Sequence, residues 1–214
     1  MNSKVIQKTA ARAGILAPIL FTILVAVESL LRPGYSQIYN NVSDLGIGSY
    51  AIIQNANFIV FGILLIVFAI GFGDSLPSTQ KTSKQLAWLI TIFAIGIMFA
   101  GITLLLIGAF SEDPMLAAHA LASFVAFFAI IGAQLLTWRA LKESNEATWE
   151  RYGRYSLVSG LLSLLLLVAF SYTSSVAYHG ATERAFIAVW MIWIIVSGLK
   201  LVSLQRAQNK VTNQ

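Results

Sequence analysis

The chain contains no cysteine among its 214 residues, and only 11% of it is Asp, Glu, Lys or Arg. The first absence excludes disulfides, thiolate catalysis and cysteine-held zinc, and leaves nothing to be read about redox compartment. The second excludes an ordinary soluble domain, in which about a quarter of the residues carry charge. Histidine is scarce as well, with two residues, so each one asks for a reason.

What the chain does have is apolar surface: 57% of its residues are hydrophobic and the mean hydropathy is +0.77. One core of this size could not hide so much, so lipid must act as the solvent for much of it. A net charge of +5 suggests nucleic acid at first sight. The basic residues, however, stand in short clusters between apolar runs, no nucleic-acid motif is present, and no nucleic-acid partner is expected.

A membrane-spanning helix needs about 20 mostly apolar residues. Six stretches qualify, at about 13–31, 51–73, 86–110, 115–138, 155–177 and 184–205. They predict an all-α, six-helix transmembrane bundle forming one domain over residues 1–214, without internal repeats. Lys4, Lys8 and Arg12 precede the first run in the manner of a signal peptide, but no small-x-small site follows it, so it is expected to stay as the first span. Twelve of the fourteen Lys and Arg residues fall at the termini and in the second and fourth loops, and only Arg32 and Arg184 fall on the other side. Cytoplasmic loops carry the positive excess. A multi-pass protein of the inner, cytoplasmic membrane with both termini inside is therefore expected.

Asp74, Glu143, Glu146 and Glu150 sit among the cytoplasmic Lys and Arg, where solvated pairing explains them, and the other ionisable residues gather on the outer side. Glu28, Asp44, Glu112, Asp113 and Glu183 lie there with both histidines, His119 and His179. Several have ordinary explanations. Asp113 before Pro114 suits an N-cap, as Thr182 does for the sixth span. His179-Gly180 reads as the last-turn cation and C′ glycine of the fifth span. Glu28 is near enough to its span's end to reach the interface. His119, about five residues into the fourth span with Ser123 one turn deeper, is harder to dismiss, because an ionisable group inside a span normally faces the bundle or a water-filled cavity. It is expected to bond with, or share a metal with, Asp44, Glu183 or His179. Arg184, read as first-turn, opposes both the helix dipole and the charge rule, which calls for an acidic partner or a lipid phosphate. Gln54, Asn55 and Asn57, and Tyr172, Ser174 and Ser175, are placed to line the same cavity. Ala118, Ala122 and Ala126 form a stripe that lets a neighbouring helix come close.

Pro33-Gly34-Tyr35, Val42-Ser43-Asp44-Leu45-Gly46, the fourth-span His119 and Gly180-Ala181-Thr182-Glu183-Arg184 together resemble a prokaryotic membrane family known as domain of unknown function 998. The resemblance runs through all six spans, and is more distantly similar to DRAM-like and FRAG-like six-span proteins. It implies the six-helix fold and no established reaction. Its recurring positions correspond to Ser43, Asp44, Gly46, His119, Glu183 and Arg184.

Three functions compete. The first is a site for a lipid headgroup or similar amphiphile, with membrane lipids as partners and Arg184, His179, Asn57 and Tyr172 as ligand contacts. That site could add hydrolase or transferase chemistry if His119 pairs with Asp44 or Glu183 as acid and base and Ser43 serves as nucleophile. His119, His179 and Asp44 are also a conceivable zinc set, although no tight ligand spacing supports one. The second is a proton-linked transporter, disfavoured because the cytoplasmic halves of the spans read as almost purely apolar. The third is an accessory protein whose polar cluster only stabilises the bundle.

Overall fold

The computed structural model describes residues 3–106, 112–173 and 178–212, with side chains for 5–106, 115–173 and 178–207. Six α-helices follow one another: α1 (Ser3–Leu31), α2 (Ala51–Asp74), α3 (Gln80–Leu106), α4 (Glu112–Leu141), α5 (Ala147–Tyr172) and α6 (His179–Thr212). A short 3-10 turn, Ser43–Gly46, lies in the first connection. Each helix contains an apolar segment of 24 to 29 residues, long enough to cross a bilayer.

Every helix packs on its neighbours in sequence, and α6 returns to pack on α1, closing a six-membered ring. Aromatic side chains fill the middle of the ring. Trp190 of α6 meets Phe93 of α3 edge-on, with centroids 5.0 Å apart, and Trp193 meets Phe72 of α2 in the same way at 5.7 Å. Such edge-to-face pairs add to simple burial. Outside, Leu16, Ile23, Ile63, Leu121 and Leu165 face the surrounding lipid. The α3–α4 contact follows the alanine stripe: a Cβ on Gly96 would stand 2.8 Å from the Ala126 Cβ and 3.0 Å from the Ala122 carbonyl oxygen. Small residues on both helices let the backbones approach.

Several expected boundaries move. α4 and α5 begin earlier than their apolar cores, and α6 begins five residues earlier, at His179. His179 and Gly180 therefore open α6 and do not close α5. Thr182 is inside α6, where its hydroxyl donates back to the carbonyls of His179 and Tyr178. Asp113 lies within α4, so it is not the N-cap; its side chain lies outside the described residues. Arg184 falls in the second turn, so a first-turn clash with the dipole does not arise.

The half of the bundle near the termini is less apolar than the sequence suggests. Tyr152 and Ser197 share a hydrogen bond of 2.5 Å, and the Trp193 indole donates to Ser156 at 3.0 Å, tying α5 to α6. Gln134 and Thr137 of α4 are also fully buried there. Scattered one per turn, such residues vanish in a hydropathy average.

Candidate functional site

At the end of the bundle opposite the termini, the first connection (residues 32–50) folds across the helix ends and is latched to α6. The N–H of Ala181, one of the first-turn donors that a helix leaves unpaired, donates to the Ile38 carbonyl at 3.0 Å. The Arg184 guanidinium donates to the Asn40 carbonyl at 2.7 Å. The Val42 N–H donates to the Glu183 carboxylate at 2.6 Å. Residues 38, 40 and 42 thus meet α6 from a turn, which the Asn40 N–H closes on the Ser36 carbonyl at 2.8 Å. Gly180 is required at this contact, because a Cβ there would collide with the backbone of Asn40.

Arg184 also donates to its own helix at Gly180 (3.0 Å) and to the Tyr35 hydroxyl, with its cation over the Tyr35 ring at 5.6 Å. Tyr35 in turn donates to the Asn41 carbonyl at 2.8 Å. Burial pushes the Tyr35 hydroxyl above its usual range, against the opposing pull of Arg184, so it keeps the proton it donates. Arg32 repeats the device by donating to the Asp44 carbonyl at 2.7 Å. Asp44 itself accepts the Asn41 N–H at 2.9 Å, and Asn55 donates to the Gly46 carbonyl at 2.9 Å. The expected ion pair of Arg184 is absent among the described residues. Arg184 grips main-chain oxygens instead, which a five-donor planar fork does well.

Beneath the latch, between α4, α5 and α6, lies a cleft of 330 Å³, within the range of small-molecule sites. Its upper wall is Asn41 and Ser43, its inner wall His119, Ser123 and Glu183, and its far wall Phe170 with His179. Ala120 and the 43% exposed Phe124 carry it to the lipid-facing surface of α4. The depth is modest: His119 is seven residues into α4, about 10 Å at 1.5 Å per residue. A smaller cavity of 40 Å³ continues inward past His119, Ser43 and Glu183 to Phe61 and Trp190.

His119 does not bond with Asp44, Glu183 or His179. Its Nδ1 lies 3.0 Å from the Ala100 carbonyl oxygen, in α3. A carbonyl only accepts, so Nδ1 carries the proton, and Nε2 is an acceptor when the ring is neutral. His179 stacks on Phe170 at 4.4 Å and 15°, and its Nδ1 is buried without a hydrogen bond among the described residues. Among the described residues no group of three or more His, Asp or Glu side chains is placed to hold a metal, so the zinc set of His119, His179 and Asp44 is not formed.

Other expected members fall elsewhere. Tyr172 is 81% exposed and lines no part of the cleft. Asn57 is buried as a tie between helices, donating to the Phe21 carbonyl at 3.1 Å and to Gln54 at 3.2 Å. Glu28 does not reach the interface; it is fully buried, and neither oxygen has a hydrogen-bond partner among the described residues. Ser174 and Ser175 lie outside the described residues. Arg184 faces away from the cleft, toward a separate 240 Å³ cavity beside α1. Ser43 shares the cleft with His119 but no hydrogen bond joins them, so the contact that would activate a serine is missing. Asn41, Ala120 and Phe170 were not anticipated, because nothing in an asparagine, an alanine or a phenylalanine marks it as cavity-lining.

The fold and this polar end define a six-span membrane protein. The chain belongs to the family described as "Protein of unknown function (DUF998)", whose profile matches residues 15–200. No curated protein and no solved structure matches it.

Proposed function

We propose that the protein binds an amphiphile from the bilayer, with the head in the cleft beside Ser43, His119 and Glu183 and the tail leaving between α4 and α5. One observation carries this reading: the cleft joins polar groups within the bundle to a mouth at Ala120 and Phe124 on the lipid-facing surface. A water-soluble ligand has no need of that mouth, and a purely structural cluster has no need of the volume. The absence of a Ser43–His119 hydrogen bond favours binding over bond cleavage.

The cleft then lies on the extracytoplasmic side of the cytoplasmic membrane, with both termini inside. The skew of Lys and Arg toward the ends and the second and fourth loops supports this. So does the fate of the two exceptions, since Arg32 and Arg184 spend their donors on loop carbonyls and do not form a free cationic surface.

Lipid extraction and mass spectrometry of the purified protein test the proposal. An amphiphile should co-purify with the unaltered chain at a fixed ratio. Ala120→Trp, which fills the mouth without touching the latch, should remove it. Equal lipid content in both proteins would refute the cleft as its location.

A further inference from the structure

We propose that the head recognised in the cleft is a primary ammonium group; this rests on the amphiphile reading above and narrows it to a chemical class. The cleft offers several acceptors in want of donors, beside the hydroxyls of Ser43 and Ser123, which can act either way. Among the described residues Asn41 Oδ1 is a buried acceptor without a hydrogen bond, and His179 Nδ1 is likewise unpartnered and accepts in the Nε2-protonated tautomer. His119 has committed its Nδ1 proton to the Ala100 carbonyl, so in the neutral ring Nε2 is free to accept. The Glu183 carboxylate has two oxygens and takes one hydrogen bond among the described residues, from Val42. A head with three N–H donors answers these acceptors, whereas a phosphate or sulfate would meet the Glu183 carboxylate and no Lys or Arg among the described lining residues.

Charge points the same way. Glu183 lines the cleft, Asp44 lies within electrostatic reach of both Glu183 and His119, and among the described residues no Lys or Arg lines it. The two arginines near enough to change this are turned elsewhere. Arg184 is engaged with Asn40, Gly180 and Tyr35 and lines the cavity beside α1, and Arg32 is engaged with the Asp44 carbonyl. The apolar walls suit a cation as well. Phe124, Phe127 and Phe170 surround the polar groups, and an aromatic face attracts an ammonium more strongly where water is excluded. A quaternary head would satisfy the aromatic walls but leave the acceptors unmatched, so the two features together select the primary amine.

Thermal unfolding of the full chain in a neutral maltoside detergent at pH 7 tests this, because a ligand that binds only the native state raises the melting temperature. The probes are dodecylamine, dodecyltrimethylammonium, dodecanol and dodecyl phosphate at equal mole fractions, with a short-chain phosphatidylethanolamine as a second source of the same head. Dodecylamine should raise the melting temperature by several degrees, and the other three dodecyl probes by clearly less. An equal rise with phosphatidylethanolamine identifies a phospholipid source, and a rise with dodecylamine alone a free amine; both support the proposal. Glu183→Gln, which retains an oxygen for the Val42 N–H, should abolish the preference while the protein remains folded. If that variant does not fold, Asp44→Asn, which keeps an acceptor for Asn41, should weaken the preference instead. Equal effects of dodecylamine and dodecanol, both lost in Ala120→Trp, would overturn the ammonium head and leave the amphiphile cleft standing. A preference for dodecyl phosphate would also overturn it. Amphiphile effects that persist unchanged in Ala120→Trp would instead refute the cleft itself.

Discussion

The N–H of Val42 donates to the carboxylate of Glu183 across a separation of 141 residues, at 2.6 Å. With Arg184 on the Asn40 carbonyl one residue along, this bond turns the first connection into a roof over the bundle's polar end. A Glu-Arg pair opening a helix looks at first like an ion pair or a catalytic dyad. Here each member reaches separately for main chain on another element, and the remaining face of Glu183 looks into the cleft.

Glu183→Ala should therefore destabilise the protein through the loop and not through the helix. It leaves a buried N–H without a partner, a loss of about 1–3 kcal/mol. Glu183→Gln should recover most of that, since an amide oxygen also accepts. Thermal unfolding in one detergent, with proteolysis of the first connection as a local readout, separates the two variants.

Arg184→Lys should behave much like Arg184→Ala despite its retained charge. One ammonium cannot reach Asn40, Gly180 and Tyr35 together, as the planar fork does. Exchanging Arg184 and Asp44 should give no rescue, because no ion pair joins them. Recovery of stability in the exchanged protein would show that the two charges interact directly.

Tyr35 gives the latch a pH limit. Burial raises its hydroxyl above the ordinary value of 10.0, so the folded protein holds this proton more tightly than the unfolded chain does. Its contribution is fully present below about pH 10 and is lost as pH rises from there through the folded value. The difference in stability between the unaltered protein and Tyr35→Phe should accordingly be constant at neutral pH and shrink in alkali. A difference that already shrinks between pH 6 and 8 would assign the effect to another group.

Much of this was legible in the sequence. Six apolar runs foretold six spans, and the distribution of polar residues pointed to the end of the bundle where the cleft lies. His119, Glu183 and Ser43 do line one cavity. The roles were harder to read, because three of the latch bonds use main-chain groups of Ile38, Asn40 and Val42, whose side chains say nothing about them. The start of α6 was misplaced for a related reason. His179-Gly180 fits a helix end by composition, and only the close approach of Asn40 shows that the glycine serves packing. Tyr172 was drawn to the site by its position near the end of α5, although helical rotation turns it outward.

Orientation can be tested cleanly in a chain without cysteine. Ser49→Cys and Ala181→Cys are both exposed positions at the latch end and should react with an impermeant thiol reagent in intact cells; Thr79→Cys, exposed between α2 and α3, should not. Labelling at Thr79 alone would invert the topology and place the cleft in the inner leaflet.

The most direct test of the cleft is photo-crosslinking in native membranes with a lipid bearing a diazirine near its headgroup, followed by peptide mapping. Adducts should concentrate on Ala120–Phe124 of α4 and Phe170–Ser171 of α5, and should fall to background in Ala120→Trp. Adducts spread evenly over the lipid-facing residues of all six helices, unchanged by that substitution, would mean that the cleft holds no amphiphile.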